Sequence, residues 1–255
     1  MIVDVVRAES SRFRHPLLML HGLWTGGWIW SRFAAYLAHR GWDAWLPSWL
    51  EDASLLDVDR RRHALIELCR TLPAPPILVG HDAGVAMALS IASEVAAPAI
   101  VAIAPVLPRI DRNAALGVFA LPQFWPARLA ARALAPPRGR AARSLIAGLD
   151  DEAVARLRPD SGAYFRALLA GRFTLADPSQ PGLVIASSDD RIISREQARH
   201  LADRWHWSFD VHETPGHFPM WTSGSEALAD RVHRWLVHAI GADLLAWLED
   251  ENGVE

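Results

Sequence analysis

The chain has a single cysteine, Cys69, among its 255 residues, so no internal disulfide can form and a reducing compartment such as the cytoplasm fits. A net charge of −3 gives no electrostatic footprint for nucleic acid. The first residues, MIVDVVRAES, place acids at Asp4 and Glu9 and hold no apolar signal core, which argues against secretion by that route. No internal repeat and no low-complexity run is present. The longest apolar stretch, Gly84 to Leu107, is interrupted by Glu94 and Pro98. Membrane insertion is therefore not expected, because a spanning helix needs about 20 consecutive apolar residues. A buried helix followed by a buried strand is expected there. Tyrosine is also scarce: two residues against 12 tryptophans.

Five of those tryptophans fall between Trp24 and Trp45, where they fill a core or wall an apolar pocket. Half the residues are hydrophobic (51%) and 22% are charged, which fits one large globular domain. Short β-type runs alternate with amphipathic stretches, the pattern of a mostly parallel sheet with helices on both faces. Strands are expected at 16–20, 42–46, 76–80, 99–104, 182–187 and 209–213. Helices are expected at 30–39, 57–72, 84–94, 195–205 and 223–248. The segment from Pro105 to Pro181 breaks this rhythm. Its apolar-basic pieces, such as 127–134 and 141–149, predict a helical lid over 108–181, inserted into a core formed by 1–107 and 182–255. A structureless connection of that length would be out of place in a compact domain. Phe124, Trp125, Tyr164 and Phe165 are its candidates to face a pocket.

The chemistry concentrates at a strand-to-helix turn. Gly80-His81-Asp82-Ala83-Gly84 follows an apolar strand and precedes an apolar helix. A residue at such a turn is held in a sharp bend, the flanking glycines admit neighbouring backbone, and the helix amides favour an anion. Three further pieces follow other strands. His21-Gly22-Leu23-Trp24 can offer a backbone amide, Asp189-Asp190-Arg191-Ile192-Ile193 an acid, and Pro215-Gly216-His217-Phe218-Pro219 a histidine. The chain order is nucleophile, acid, histidine.

On these motifs the chain resembles the α/β-hydrolase superfamily over nearly its whole length. Gly-His-Asp-Ala-Gly is similar to the elbow of its aspartate-nucleophile branch, the epoxide hydrolases and haloalkane dehalogenases. The resemblance implies a catalytic triad of Asp82, Asp190 and His217, with the amides of Leu23 and Ala83 as oxyanion hole. Asp190 is preferred over Asp189 because Asp-Arg-Ile-Ile matches the family's acid turn. An ionised aspartate can attack a saturated carbon without prior deprotonation, and the resulting alkyl ester is then hydrolysed by water activated at His217. Epoxide opening needs an acid for the leaving oxygen, and Tyr164 is the only tyrosine of the lid. Halide release needs N–H donors. The asparagine and tryptophan that dehalogenases carry are replaced by Leu23 and Ala83, leaving Trp125 as a substitute, and Trp24 stands where epoxide hydrolases carry proline.

The leading expectation is an epoxide hydrolase acting on a small apolar substrate and water, without metal or cofactor. Carbon–halogen hydrolysis is the alternative. A further one follows the likeness of HGLWTGGWIW to esterases and hydroxynitrile lyases, with Asp82 as base or anchor. A non-catalytic binding protein completes the set. Nothing in the sequence speaks to oligomeric state.

Overall fold

The computed structural model describes the chain except residues 51, 53–56, 108–121, 140–144, 174, 176, 215 and 242–255. Among the described residues, seven strands form one sheet. They are β1 (Ile2–Val6), β2 (Leu17–Leu20), β3 (Ala44–Ser48), β4 (Ile77–His81), β5 (Ile100–Ile103), β6 (Gly182–Ser187) and β7 (Ser208–His212). Their spatial order is β1-β3-β2-β4-β5-β6-β7. Only β1 runs antiparallel, against β3, and every other pairing is parallel. The central strands β2, β4, β5 and β6 are buried along their whole length, as continuous apolar runs between covering layers should be.

Among the described residues the α-helices are α1 (Ser31–His39), α2 (Val58–Arg70), α3 (Ala83–Ile91), α4 (Trp125–Ala130), α5 (Asp151–Arg156), α6 (Gly162–Ala170), α7 (Arg195–Trp205) and α8 (Ser225–Ala239). Their starts are written in the sequence. Asp57 accepts from the Arg60 amide at 2.8 Å to cap α2, and Asp150 accepts from Ala153 at 2.9 Å to cap α5. Ser194 and Gln197 close a capping box at α7. Helix α3 is buried on every side, so the apolar run read as a possible span is a core helix followed by β5. Among the described residues, no helix is long and apolar enough to cross a membrane.

Most expected elements fall where the hydrophobic periodicity places them. Strand β1 has no counterpart in the sequence reading. It is a half-exposed edge strand carrying Asp4, so it lacks the continuous apolar run of its neighbours. Helix α4 is shorter than expected, because Ala131 turns into the left-handed region at φ 52°. The expected helix over 141–149 lies partly outside the described residues, as does the end of the helix expected to reach Leu248.

Between β5 and β6, the segment carrying helices α4, α5 and α6 is joined to α2 by a buried ion pair. Arg61 of α2 donates to Asp160 at 2.7 Å, with both side chains at most 2% exposed. The guanidinium also lies 4.1 Å from the centroid of the Tyr164 ring. A charge so deeply buried is tolerable only while its partner stays. Asp160→Ala is therefore expected to cost about 3–5 kcal/mol. Replacing both partners by apolar residues, Arg61→Met with Asp160→Leu, should recover most of that loss. Urea denaturation of the two variants checks this.

Candidate active site

Asp82 sits between β4 and α3 with φ 52° and ψ −128°. For a non-glycine residue that conformation costs on the order of 1–3 kcal/mol and is held only by its surroundings. Aspartate is a favoured helix cap, yet this carboxylate caps nothing in α3. It turns instead toward the loop after β2. There Oδ2 accepts the Leu23 amide at 2.7 Å. The glycines explain how backbone comes so near. A Cβ on Gly22 would lie 2.5 Å from Asp82 Oδ2, and one on Gly84 would lie 2.3 Å from the Leu20 carbonyl oxygen.

His217 follows β7. Its Nδ1 is 2.8 Å from Asp190 Oδ2, which fixes the proton on Nδ1 and aims Nε2 toward Asp82. Asp190 is held in turn by the amides of Ile192 at 2.8 Å and Ile193 at 3.3 Å. The Asp-Arg-Ile-Ile turn thus supplies both an acid and the donors that orient it. His81, inside the elbow, donates from Nε2 to the His217 carbonyl at 2.7 Å and positions the histidine loop. His217 Nε2 lies 3.6 Å from Asp82 Oδ1, within ion-pair range but longer than a hydrogen bond. Both atoms are buried, and neither has a hydrogen-bond partner among the described residues. A facing pair of unsatisfied polar atoms in a sealed place calls for an explanation.

Electrostatics sharpen the picture. Burial alone would lower the His217 imidazolium. The charge and hydrogen bond of Asp190, with Asp82 behind them, reverse this and push it up to about 10. Burial would likewise raise the Asp82 carboxyl, but His217 and the Leu23 amide hold it below the ordinary carboxylate range. At neutral pH the Asp82 carboxylate thus faces the His217 imidazolium. The two other histidines nearby are neutral: burial pulls His21 down to about 4 and His81 down to about 3.

The remaining sequence candidates take different places. Ala83 is buried as the first residue of α3. Tyr164 is fully buried, but its hydroxyl donates to the Ala83 carbonyl at 3.0 Å, so its proton does not face a leaving group. Trp24 is buried, and its indole N–H is taken by the Leu134 carbonyl at 3.1 Å. Trp125 is 51% exposed at the surface, whereas Phe124 and Phe165 are buried. Among the described residues no group of three histidine, cysteine or acidic side chains is placed to hold a metal ion. The partners Arg61, Asp160, Leu134 and Arg158 carry no sequence signal, because they meet the site from distant segments.

Protonated His217 belongs to the folded state. Its pKa lies above the ordinary value of an unfolded histidine, about 6.5. Its contribution to stability is thus complete below about 6.5 and is lost as pH rises through about 10. An NMR titration should place the His217 midpoint near 10, and Asp190→Asn should move it down. A native midpoint below 7 would contradict the pairing with two carboxylates.

A family model described as "Alpha/beta hydrolase family" matches residues 17–231. The fold is similar to that of a monoacylglycerol lipase from Paleococcus ferrophilus, with TM-score 0.68, 17% identity, and coverage of 94% of this chain and 100% of that one. It is similar to a thermophilic esterase from Thermogutta terrifontis, with TM-score 0.68, 17% identity and 93% of each chain covered. It also resembles a methylesterase from Arabidopsis, with TM-score 0.61, 18% identity, and coverage of 86% and 98%. No curated protein matches the sequence. At these identities the likeness is one of fold.

Proposed function

The chain belongs to the alpha/beta hydrolase family, and we propose that within it Asp82 is the nucleophile of a hydrolase that works through an alkyl-Asp82 ester, opening an epoxide of an apolar substrate to a diol. One observation carries this reading: the two oxygens of Asp82 are inequivalent. Oδ2 is held by the Leu23 amide, while Oδ1 has no hydrogen-bond partner among the described residues and faces His217 Nε2 at 3.6 Å. The free oxygen is the one that can attack.

In the first step an Oδ1 lone pair attacks a ring carbon. The ring carbon–oxygen bond breaks, and its electrons remain on the oxygen as an alkoxide. Rotation about the carbon–carbon bond of the opened ring swings that alkoxide beside Oδ1, within reach of His217 Nε2, from which it takes a proton. The imidazolium, raised to about 10 between its two carboxylates, supplies that proton. Esterification also removes the charge of Asp82. His217 thereby loses one of the two anions that kept it protonated, and is neutral when a base is needed.

In the second step His217 takes a proton from water, and the hydroxide adds to Asp82 Cγ. The oxyanion forms on Oδ2, which already rests on the Leu23 amide, with the Ala83 amide as second donor. Collapse expels the product alkoxide, which takes the proton left on the Asp82 carboxyl. The carboxylate and the imidazolium are restored. Asp190 holds the ring in register throughout. Tyr164 has no part as an acid in this scheme.

Carbon–halogen hydrolysis would use the same first attack but release an anion that consumes no proton. It also needs N–H donors, and the indole of Trp24 is engaged with Leu134 while Trp125 lies at the surface. Epoxide opening therefore remains the better-supported reading.

Intact mass spectrometry of His217→Gln, incubated with a mixed panel of epoxides and haloalkanes, tests the chemistry. An adduct equal to the whole epoxide mass is expected on the Asp82 peptide. Loss of the halogen from the added mass would identify the alternative. Wild-type turnover surviving in Asp82→Ala would sink the covalent route.

A further inference from the structure

We propose that the segment between β5 and β6 is a clamp that sets both oxyanion donors, and that Trp24 and Tyr164 are its positioning residues. The inference rests on the alkyl-ester reading for its kinetic consequences, but its structural content stands apart from it.

The Leu23 amide belongs to a loop braced from within, where the Thr25 hydroxyl and the His21 ring meet the Gly22 carbonyl at 3.3 and 2.8 Å, and held from outside at the next residue. Trp24, the next residue, adopts φ 62°, which a bulky side chain takes only under constraint. The constraint comes from the insertion, at two points. The Trp24 indole N–H donates to the Leu134 carbonyl at 3.1 Å, and the Trp24 carbonyl accepts the Arg158 amide at 3.0 Å. The indole also stacks near Phe124, with centroids 6.0 Å apart. The side chain and the carbonyl of Trp24 are thus gripped by residues more than a hundred positions away, one residue on from the Leu23 amide that meets Asp82.

The second donor is gripped by the same segment. Tyr164 of α6 is the residue whose hydroxyl donates to the Ala83 carbonyl, in the first turn of α3. That bond fixes the peptide plane following Ala83, one peptide on from the Ala83 amide. A phenol placed here cannot face a leaving group and hold the turn at once.

The gripping residues are themselves joined. Leu134 and Asp160 exchange backbone hydrogen bonds at 2.8 and 3.0 Å. Asp160 is paired with Arg61, whose guanidinium lies against the Tyr164 ring. Arg158, Asp160 and Tyr164 lie within seven positions of one another in the chain. One short stretch of the insertion therefore reaches Trp24, Arg61 and Ala83 together. When that stretch is seated, both donors are in register; when it lifts, both lose their support.

Hydrogen exchange and single-turnover kinetics on the full chain test this. Trp24→Phe keeps the ring and removes the indole N–H; Tyr164→Phe removes only the hydroxyl. Asp160→Asn, which bonds to neither residue, loosens the clamp from its far side. Exchange of the 21–26 amides should speed up at least tenfold in Trp24→Phe and in Asp160→Asn, and that of the first turn of α3 in Tyr164→Phe. Breakdown of alkyl-Asp82 should slow by roughly 10- to 100-fold in each. The slowing in Tyr164→Phe should be equal for adducts made from epoxides and from haloalkanes. A loss confined to epoxide alkylation would make Tyr164 a leaving-group acid and overturn the assignment. Unchanged exchange in all three variants would overturn the clamp. Faster exchange with no adduct on any variant, the His217→Gln trap included, would uphold the clamp while refuting the alkyl-ester reading.

Discussion

The hydrogen bond from the Leu23 amide to Asp82 Oδ2 is the contact on which the rest of the site depends. It is 2.7 Å long and buried, and it is made to a carboxylate that is only 3% exposed. A carboxylate in such a place keeps its charge only if donors and a cation meet it. The Leu23 amide meets one oxygen and the imidazolium of His217 faces the other. Asp190 then keeps the imidazolium charged and oriented. Without the amide, the elbow would hold a buried anion with support on one side alone.

That contact also organises the chain around it. Gly22 has no side chain because Asp82 occupies the space one would need, and Gly84 has none because the loop after β2 passes so close. The backbone is strained at the acceptor, Asp82, and at Trp24, the residue after the donor. Strain at these two positions is sustained by packing from three directions: the sheet, helix α3 and the segment between β5 and β6.

Much of this was legible in the sequence, for a definable reason. The elbow, the His-Gly turn, the Asp-Arg-Ile-Ile turn and the Gly-His-Phe turn are local. Each requires particular residues at fixed spacing after a strand, so each leaves a mark in a few adjacent letters. Strand β1 leaves none, because a short edge strand with a polar face looks like any exposed segment. The partners of Trp24 and Arg61 leave none either. Trp24 meets Leu134 across 110 positions, and Arg61 meets Asp160 across 99. No periodicity reports such pairings. Tyr164 illustrates the limit: its residue type pointed to acid chemistry, whereas its position makes it a donor to backbone.

The occupied Leu23 amide has a consequence for selectivity. In a serine enzyme of this architecture that donor stands open until the carbonyl oxygen of an acyl substrate arrives. Here the protein's own carboxylate fills it in the resting state. An ester or amide entering this site would compete with Asp82 for its first polarising contact, and would meet a neighbouring negative charge as it did so. A substrate attacked at saturated carbon needs no such contact to react. On the reading proposed above, the carboxylate that attacks would also be the group that keeps an acyl oxygen off this amide.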